Sequence, residues 1–578
     1  MNSAQGNLRR ESGSGLKLRQ ALMFTPEYPR LVESVEKKGV VYTKPWVVEL
    51  VLNLAGYTED VNLVDALAVE PAAGEGAFLA AMAQRLIGSC RRQQRPLTDC
   101  RDSLIAFELE DSSAILAKAT ILRALTAIAV PEDTARDLAQ GWVKTGDYLF
   151  EAFDLRPADF VIGNPPYVRL EDIPDEVAGH YRRSYPTMMG RADLYVAFYE
   201  AGLRQLKKGG VSAFICADRW MLNQYGAELR NLITSAFAVE VVVEMHEADA
   251  FQDDVSAYPA ISVIRRAAQK AVAVASANAE AEAQGAQVLA AAMKSARAGN
   301  KNQAPGLTLA TVKTWFSGSD PWPCSSPKKI ALLRRIEEQF KPLETDDGHT
   351  KVGIGVATGL DDVFITTNPQ LVEESRLLPL ALARDTLTGA LHWSRHYLVD
   401  PWQEDGLVDL SKFPRLRAYF EGHQELLKKR HTARKNSTGW YRTIDRVTHA
   451  LTRKPKLYIP DIKDEFNPVL DQGQTYPHHN LYFIQSQDWD LEVLGGILLS
   501  SVAQFFIESY GVRMRGGYLR FQAQYLRRIR VPAPHAISAD QATRLRKAFQ
   551  GRDRTLASEV AFELYGIDAS EMETTLGH

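Results

Sequence analysis

Cysteine is scarce in this chain: only Cys90, Cys100, Cys216 and Cys324 occur in 578 residues. They are scattered, with neither the spacing of a zinc ligand set nor the density of a disulfide framework. No metal is therefore expected, and a reducing compartment is. No apolar run reaches the roughly 18 residues of a membrane span, and no signal peptide is visible. Neither a membrane span nor export is expected, which leaves the cytoplasm. A dominant charge is missing too. The 68 Lys and Arg stand against 71 Asp and Glu, and a net charge of −3 does not advertise a nucleic-acid partner. No internal repeat appears. Hydrophobic content of 45% and charged content of 24% are those of an ordinary globular protein. The length calls for more than one domain.

The most informative stretch present is Asn164-Pro165-Pro166-Tyr167. It follows Asp159-Phe160-Val161-Ile162-Gly163, which reads as a short buried strand ending in glycine. The tetrapeptide therefore sits at the carboxyl end of a strand, where open α/β sheets hold their ligands. The two prolines fix φ, remove two backbone donors and keep the residues before them out of the helical region. The result is a stiff loop that offers acceptors, the Asn164 side-chain oxygen and the Pro165 carbonyl, beside the flat face of Tyr167. Two converging acceptors under a π surface suit a planar ring carrying an exocyclic amino group. The plain alternative is a Pro-rich turn.

Upstream, the apolar run Leu63 to Val69 leads into Glu70-Pro71-Ala72-Ala73-Gly74-Glu75-Gly76 and then a helical pattern, Phe78 to Ile87. Strand, Gly-x-Gly turn and helix let a backbone approach a ligand closely, although a lone Gly-x-Gly is also an ordinary turn. A second strand, Leu104 to Phe107, ends at Glu108-Leu109, and a third ends at Asp147-Tyr148. Taken singly, Glu108 and Asp147 could equally be helix caps or surface acids. As acids at successive strand ends they are placed to take ribose hydroxyls and an adenine amino group.

With these motifs the chain resembles the class I S-adenosylmethionine-dependent DNA methyltransferases, specifically the adenine-specific ones of gamma motif order. The resemblance is close over 39–265. Tyr42-Thr43-Lys44-Pro45 is similar to the family's N-terminal cofactor motif, with Lys44 inserted before the proline. Glu70, Ala72, Gly74 and Gly76 resemble the motif that holds the methionine part of the cofactor. Glu108 with Leu109 resembles the ribose site, and Asp147 with Tyr148 the adenine site. Asp193-Leu194-Tyr195, Leu206 to Gly210 and the strand Val211 to Ala217 resemble later core motifs. The resemblance implies that Asn164, Pro165 and Tyr167 are catalytic, with Phe251 as a second aromatic against the target base, and that Asn164 and Pro166 also line the cofactor. It implies S-adenosylmethionine as cofactor and double-stranded DNA as substrate. The adenine would be flipped out of the duplex. The setting implied is a bacterial restriction-modification or phage-defence system, with a separately encoded endonuclease or defence subunit as a possible partner.

The organisation expected is an N-terminal arm over 1–38, too short for a fused nuclease, and a doubly wound, Rossmann-like catalytic domain over 39–320. Within that domain, 267–310 reads as an alanine-rich insertion or linker. A mixed α+β target-recognition domain follows over 321–578, its glycine-punctuated opening starting at Lys351. Local charge favours that half for DNA. From Lys412 to Lys456, 13 Lys and Arg face three acids, a local +10, and Gly511 to Arg530 holds six arginines and no acid. Arg434, Lys435, Arg513, Arg515 and Arg520 are the expected DNA contacts, although charge runs are often solvated faces. Two other functions stay open. One is an amino methyltransferase acting on RNA or protein glutamine, because the same loop suits any planar amide or amine. The other is a binding module with a dead site.

Overall fold

Ala68–Glu70 (β1) is buried at every residue, as a strand covered on both faces must be. The helix after it, Ala77–Arg92, buries Phe78, Leu79, Met82, Ala83, Leu86, Ile87 and Cys90, one stripe at helical spacing. The remaining strands of this sheet are Leu104–Glu108 (β2), Val143–Thr145 (β3), Ala158–Gly163 (β4), Leu206–Ala217 (β5), Ala238–Glu244 (β6), Pro259–Arg265 (β7), Val272–Ala277 (β8) and Leu307–Val312 (β9). In this computed structural model, residues 41–252, 258–300, 304–323, 327–435, 438–463, 465–511 and 519–576 are described. The arm 1–38 lies outside them. The chain divides after Ile330 into two units.

The first unit is built on the nine-stranded sheet, in the order β3-β2-β1-β4-β5-β7-β6-β8-β9. β3, β2, β1, β4 and β5 run parallel. β7 runs antiparallel between β5 and β6. The strand order reverses between β1 and β4, and that switch point opens a crevice at the carboxyl ends, as a doubly wound sheet requires. The alanine-rich stretch 267–310 departs from its reading as an insertion or linker. It supplies β8, the helix Ala286–Arg297 and β9, and it extends the sheet beyond β6. Its small alternating residues pack as strand because β6 offers an edge to pair with.

The second unit is mixed α+β. Thr350–Ile354, Leu481–Ser486, Lys456–Pro460 and Val469–Asp471 form one antiparallel sheet. Ile365–Thr366, His396–Val399, Leu377–Ala381 and Tyr476–Pro477 form another. Helices Leu491–Leu499, Ser501–Tyr510, Ala539–Gly551 and Arg554–Tyr565 follow in sequence.

Candidate active site

Gly163 ends β4, and Asn164-Pro165-Pro166-Tyr167 leaves it without regular structure, as two consecutive prolines dictate. The Asn164 amide nitrogen donates to the Val41 carbonyl at 3.0 Å and to the Thr43 hydroxyl at 3.1 Å. Both amide hydrogens are thereby used. The Asn164 Oδ1 is buried and has no hydrogen-bond partner among the described residues. An unsatisfied buried acceptor is costly unless a ligand completes it. Pro165 beside it is buried.

Tyr167 meets Phe251 edge-on, with centroids 6.2 Å apart and planes at 82°, and lies 6.4 Å from the Tyr195 ring. Its hydroxyl is also buried without a partner among the described residues. Burial is the main reason its pKa stands well above that of a free tyrosine. Phe251 reaches this place because its segment pairs with the N-terminal motif. Lys44 N donates to Ala250 O, Gln252 N donates to Tyr42 O, and Thr43 bridges Phe251. Lys44, the residue separating Thr43 from Pro45, forms an ion pair with Asp249 that ties the same two segments together. Tyr42 donates its hydroxyl to Glu75 Oε1 at 2.8 Å.

Tyr42, Thr43, Asn164, Pro165 and Tyr167 border a cleft of about 710 Å³, its open mouth included, which is also lined by Glu70, Ala72, Gly74, Glu108 and Pro166. Gly74 and Gly76 take left-handed φ values of +52° and +91°, and a Cβ on Gly76 would lie 3.2 Å from the Ala117 Cα. Gly74 N donates to Glu108 Oε2 at 2.7 Å, and Glu110 N donates to Oε1 at 3.1 Å. The two bonds aim the Glu108 carboxylate into the cleft. Burial, then the nearby Glu108, push the Glu70 carboxyl well above the usual carboxylate range, and Glu70 Oε2 has no partner among the described residues. A second cleft, which shares Ala72, is walled by Phe107, Leu109, Tyr148 and Phe198, with Asp147 at its edge. Asp147 accepts from Leu149 N at 2.9 Å as a helix cap and from the Tyr181 hydroxyl at 2.6 Å. Asp147 is therefore a helix cap that also lines this second cleft. Tyr148 gives the pocket its ring, because its hydroxyl turns away to Gln205. A polar cleft floored by two neighbouring acids, joined to an apolar slot with a carboxylate at its rim, fits S-adenosylmethionine. The slot suits a flat base, and the polar cleft beside it a polar chain.

The basic residues divide. Arg434 is exposed on the short helix His431–Lys435, which Lys435 ends. Arg520 lies on a two-residue strand opposite Ile462. Arg513 and Arg515 lie outside the described residues. Other charges in these runs are engaged by neighbours within the fold. Arg430 donates to the carbonyls of Leu427, Thr358, Trp440 and Arg442. Lys456 is fully buried against Asp471 at 2.8 Å. Arg527 pairs with Glu344, and the Arg528 guanidinium lies over the Tyr510 ring. The local +10 therefore overstates the charge available at the surface.

One cluster had no signal in the sequence. Asp218 follows β5, Glu244 ends β6, and the His246 ring lies between them, with Nε2 2.8 Å from Asp218 Oδ2 and Nδ1 2.7 Å from Glu244 Oε1. Burial works against the charged ring, but the two carboxylates prevail and raise its pKa to about 10. The three residues come from two strand ends, those of β5 and β6, and only the sheet order brings them together.

Comparison with known proteins agrees with this arrangement. Residues 133–251 match the Eco57I restriction-modification methylase family, and 417–531 match the TaqI-like C-terminal specificity domain. The Type II methyltransferase M.PaeR7I of Pseudomonas aeruginosa is 41% identical over 94% of this chain and 94% of its own. M.XhoI of Xanthomonas vasicola is 39% identical over 93% of this chain and 99% of its own. Among solved structures, the Type IIL restriction-modification enzyme MmeI in complex with DNA aligns over 98% of this chain and 75% of its own. Its TM-score is 0.50 at 13% identity, a likeness of fold. The chain thus belongs to the Type II methyltransferases, and it is a restriction-modification DNA methyltransferase that uses S-adenosylmethionine.

Proposed function

We propose that this methyltransferase modifies the exocyclic amino group of adenine, on a base turned out of the duplex into the space beside Tyr167. The observation that carries the reading is the buried, unpartnered Asn164 Oδ1, fixed in direction by the two bonds that Asn164 donates. An adenine amino nitrogen is a poor nucleophile because its lone pair is delocalised into the ring. Asn164 Oδ1 and the Pro165 carbonyl accept its two hydrogens and draw the nitrogen towards a pyramidal shape, with the lone pair directed at the methyl group. In-line attack then depends mainly on position. Bound S-adenosylmethionine supplies a methyl group on a sulfonium, already activated for transfer. The protonated product nitrogen is strongly acidic, so no dedicated base is required.

Glu108 takes the ribose hydroxyls and Asp147 the adenine amino group of the cofactor, between Leu109 and Tyr148. Tyr42, Thr43, Glu70, Ala72, Gly74, Gly76 and Pro166 line the methionine part. Tyr167 and Phe251 stack on or edge the target base, contributing about 1–3 kcal/mol against the few kcal/mol lost on unstacking. Family membership favours DNA over RNA or a protein amide as the substrate. The reading sets the chain in the cytoplasm beside a separately encoded endonuclease, with residues after 320 choosing the sequence. The test is methylation-sensitive sequencing of DNA from cells expressing the chain. N6-methyladenine at one recurrent sequence is the expected result, and modified cytosine or unmodified DNA contradicts the reading.

A further inference from the structure

In the second unit three ligand-type side chains converge: Asp361, His478 and His479, their donor atoms all within 4.8 Å of one another. His478 Nε2 lies 3.0 Å from His479 Nδ1 and 3.2 Å from Asp361 Oδ2. Each of two donors is aimed by a partner behind it. His478 Nδ1 is 2.9 Å from the Asn480 amide oxygen, which can only accept, so Nδ1 donates there and Nε2 is turned to the other two groups. Asp361 Oδ1 accepts from the Thr358 hydroxyl, which turns Oδ2 towards the rings. His478 Nε2 then faces a carboxylate oxygen and a second ring nitrogen. One proton on His478 Nε2 can bridge to one of these neighbours, whereas a cation between them satisfies all three.

We propose that Asp361, His478 and His479 bind a divalent transition-metal ion of the zinc class. Two imidazoles and one carboxylate suit such an ion. Tetrahedral coordination at about 2.0–2.1 Å sets ligands about 3.3 Å apart, close to the 3.0 and 3.2 Å found at His478 Nε2. Hydrogen bonds behind the ligands, as from Asn480 and Thr358, are the usual support of a metal site. The backbone around it is tight. His479 N donates to Val356 O, Val356 N to Pro477 O, and His478 N to Ala381 O. A Cβ on Gly355 would lie 2.2 Å from the His478 carbonyl oxygen. His479 and Asp361 reach the surface, so the fourth position faces solvent. The ion fastens the turn after Thr350–Ile354 to the loop before Leu481–Ser486.

The test uses the full-length, untagged protein, stripped with a chelator and titrated with Co2+ and then Zn2+. The expected result is visible d–d absorption that saturates near one equivalent and is displaced by Zn2+. Zn2+ should also raise the melting temperature of the parent. Asp361→Asn and His479→Gln, both at exposed positions, should weaken Co2+ binding at least tenfold and abolish the thermal shift. Absence of absorption with excess Co2+, equal binding by the parent and both variants, or thiolate charge-transfer bands in place of imidazole ligation would each overturn the proposal.

Discussion

Asn164 uses both amide hydrogens on its own protein, and its remaining oxygen is the sharpest chemical feature of the molecule. Thr43 is one of its two anchors. Thr43→Val should leave the fold intact and lower kcat about threefold to tenfold, the worth of one neutral hydrogen bond. A change confined to the KM for cofactor would contradict that positioning role. In the proposed site Glu108 and Asp147 hold the cofactor. Glu108→Ala, and Asp147→Asn with its helix cap kept, should each weaken S-adenosylmethionine binding by about 1–3 kcal/mol. Calorimetry showing unchanged affinity in both variants contradicts the placement. At this scale the site motifs were legible in the sequence because each lies on a contiguous strand-and-turn segment. The orienting bond from Asn164 to Thr43 was not, because it joins residues far apart in the chain. The Asp361–His478–His479 cluster was hidden for the same reason, since two adjacent histidines alone carry no ligand spacing.

Among the elements, the turn between β1 and the helix Ala77–Arg92 is the most constrained. Gly74 has a left-handed φ of +52° with open space around it. Alanine there should cost about 1–2 kcal/mol. Gly76, at +91° and against the Ala117 backbone, should cost more. Urea unfolding of the two variants tests the order, and equal losses contradict it. His246 links the ends of β5 and β6. Its folded pKa, about 10, exceeds the unfolded value, so its stabilisation is complete below about pH 6.5 and is lost as pH rises through about 10. The stability gap between parent and His246→Gln should therefore be widest near pH 6 and close by pH 10. A gap that does not change with pH contradicts the charged ring. The central strands were readable because they are continuous apolar runs bounded by glycine or acids. β8 was not, because Val-Ala-Val-Ala-Ser-Ala offers small side chains that suit a helix as well as a strand. Pairing with β6 decides between them.

Over the whole molecule, no single helix among the described residues is long and apolar enough to cross a membrane. The one bent pair that passes by composition, Leu491–Leu499 with Ser501–Tyr510, is largely buried. Charge must also be read through the fold. The sequence showed a basic run but could not show which cations face inwards. Arg434→Ala should leave stability unchanged, weaken binding to cognate and scrambled duplexes alike, and reduce the salt slope by about one. Arg430→Ala should destabilise the second unit, because the carbonyls it caps lose their donor. If Arg434→Ala changes neither affinity nor salt slope, recognition rests on other loops of that unit. The most direct measurement for the central claim is transfer of tritiated methyl from S-adenosylmethionine to duplex DNA by purified parent and Asn164→Ala, followed by analysis of the labelled base. The account predicts label on N6-methyladenine for the parent. For Asn164→Ala it predicts less than about a tenth of that rate, a loss above ~1.4 kcal/mol, with cofactor affinity only modestly reduced. Label on cytosine, or an Asn164→Ala variant that keeps more than about a tenth of the parent rate, would contradict it.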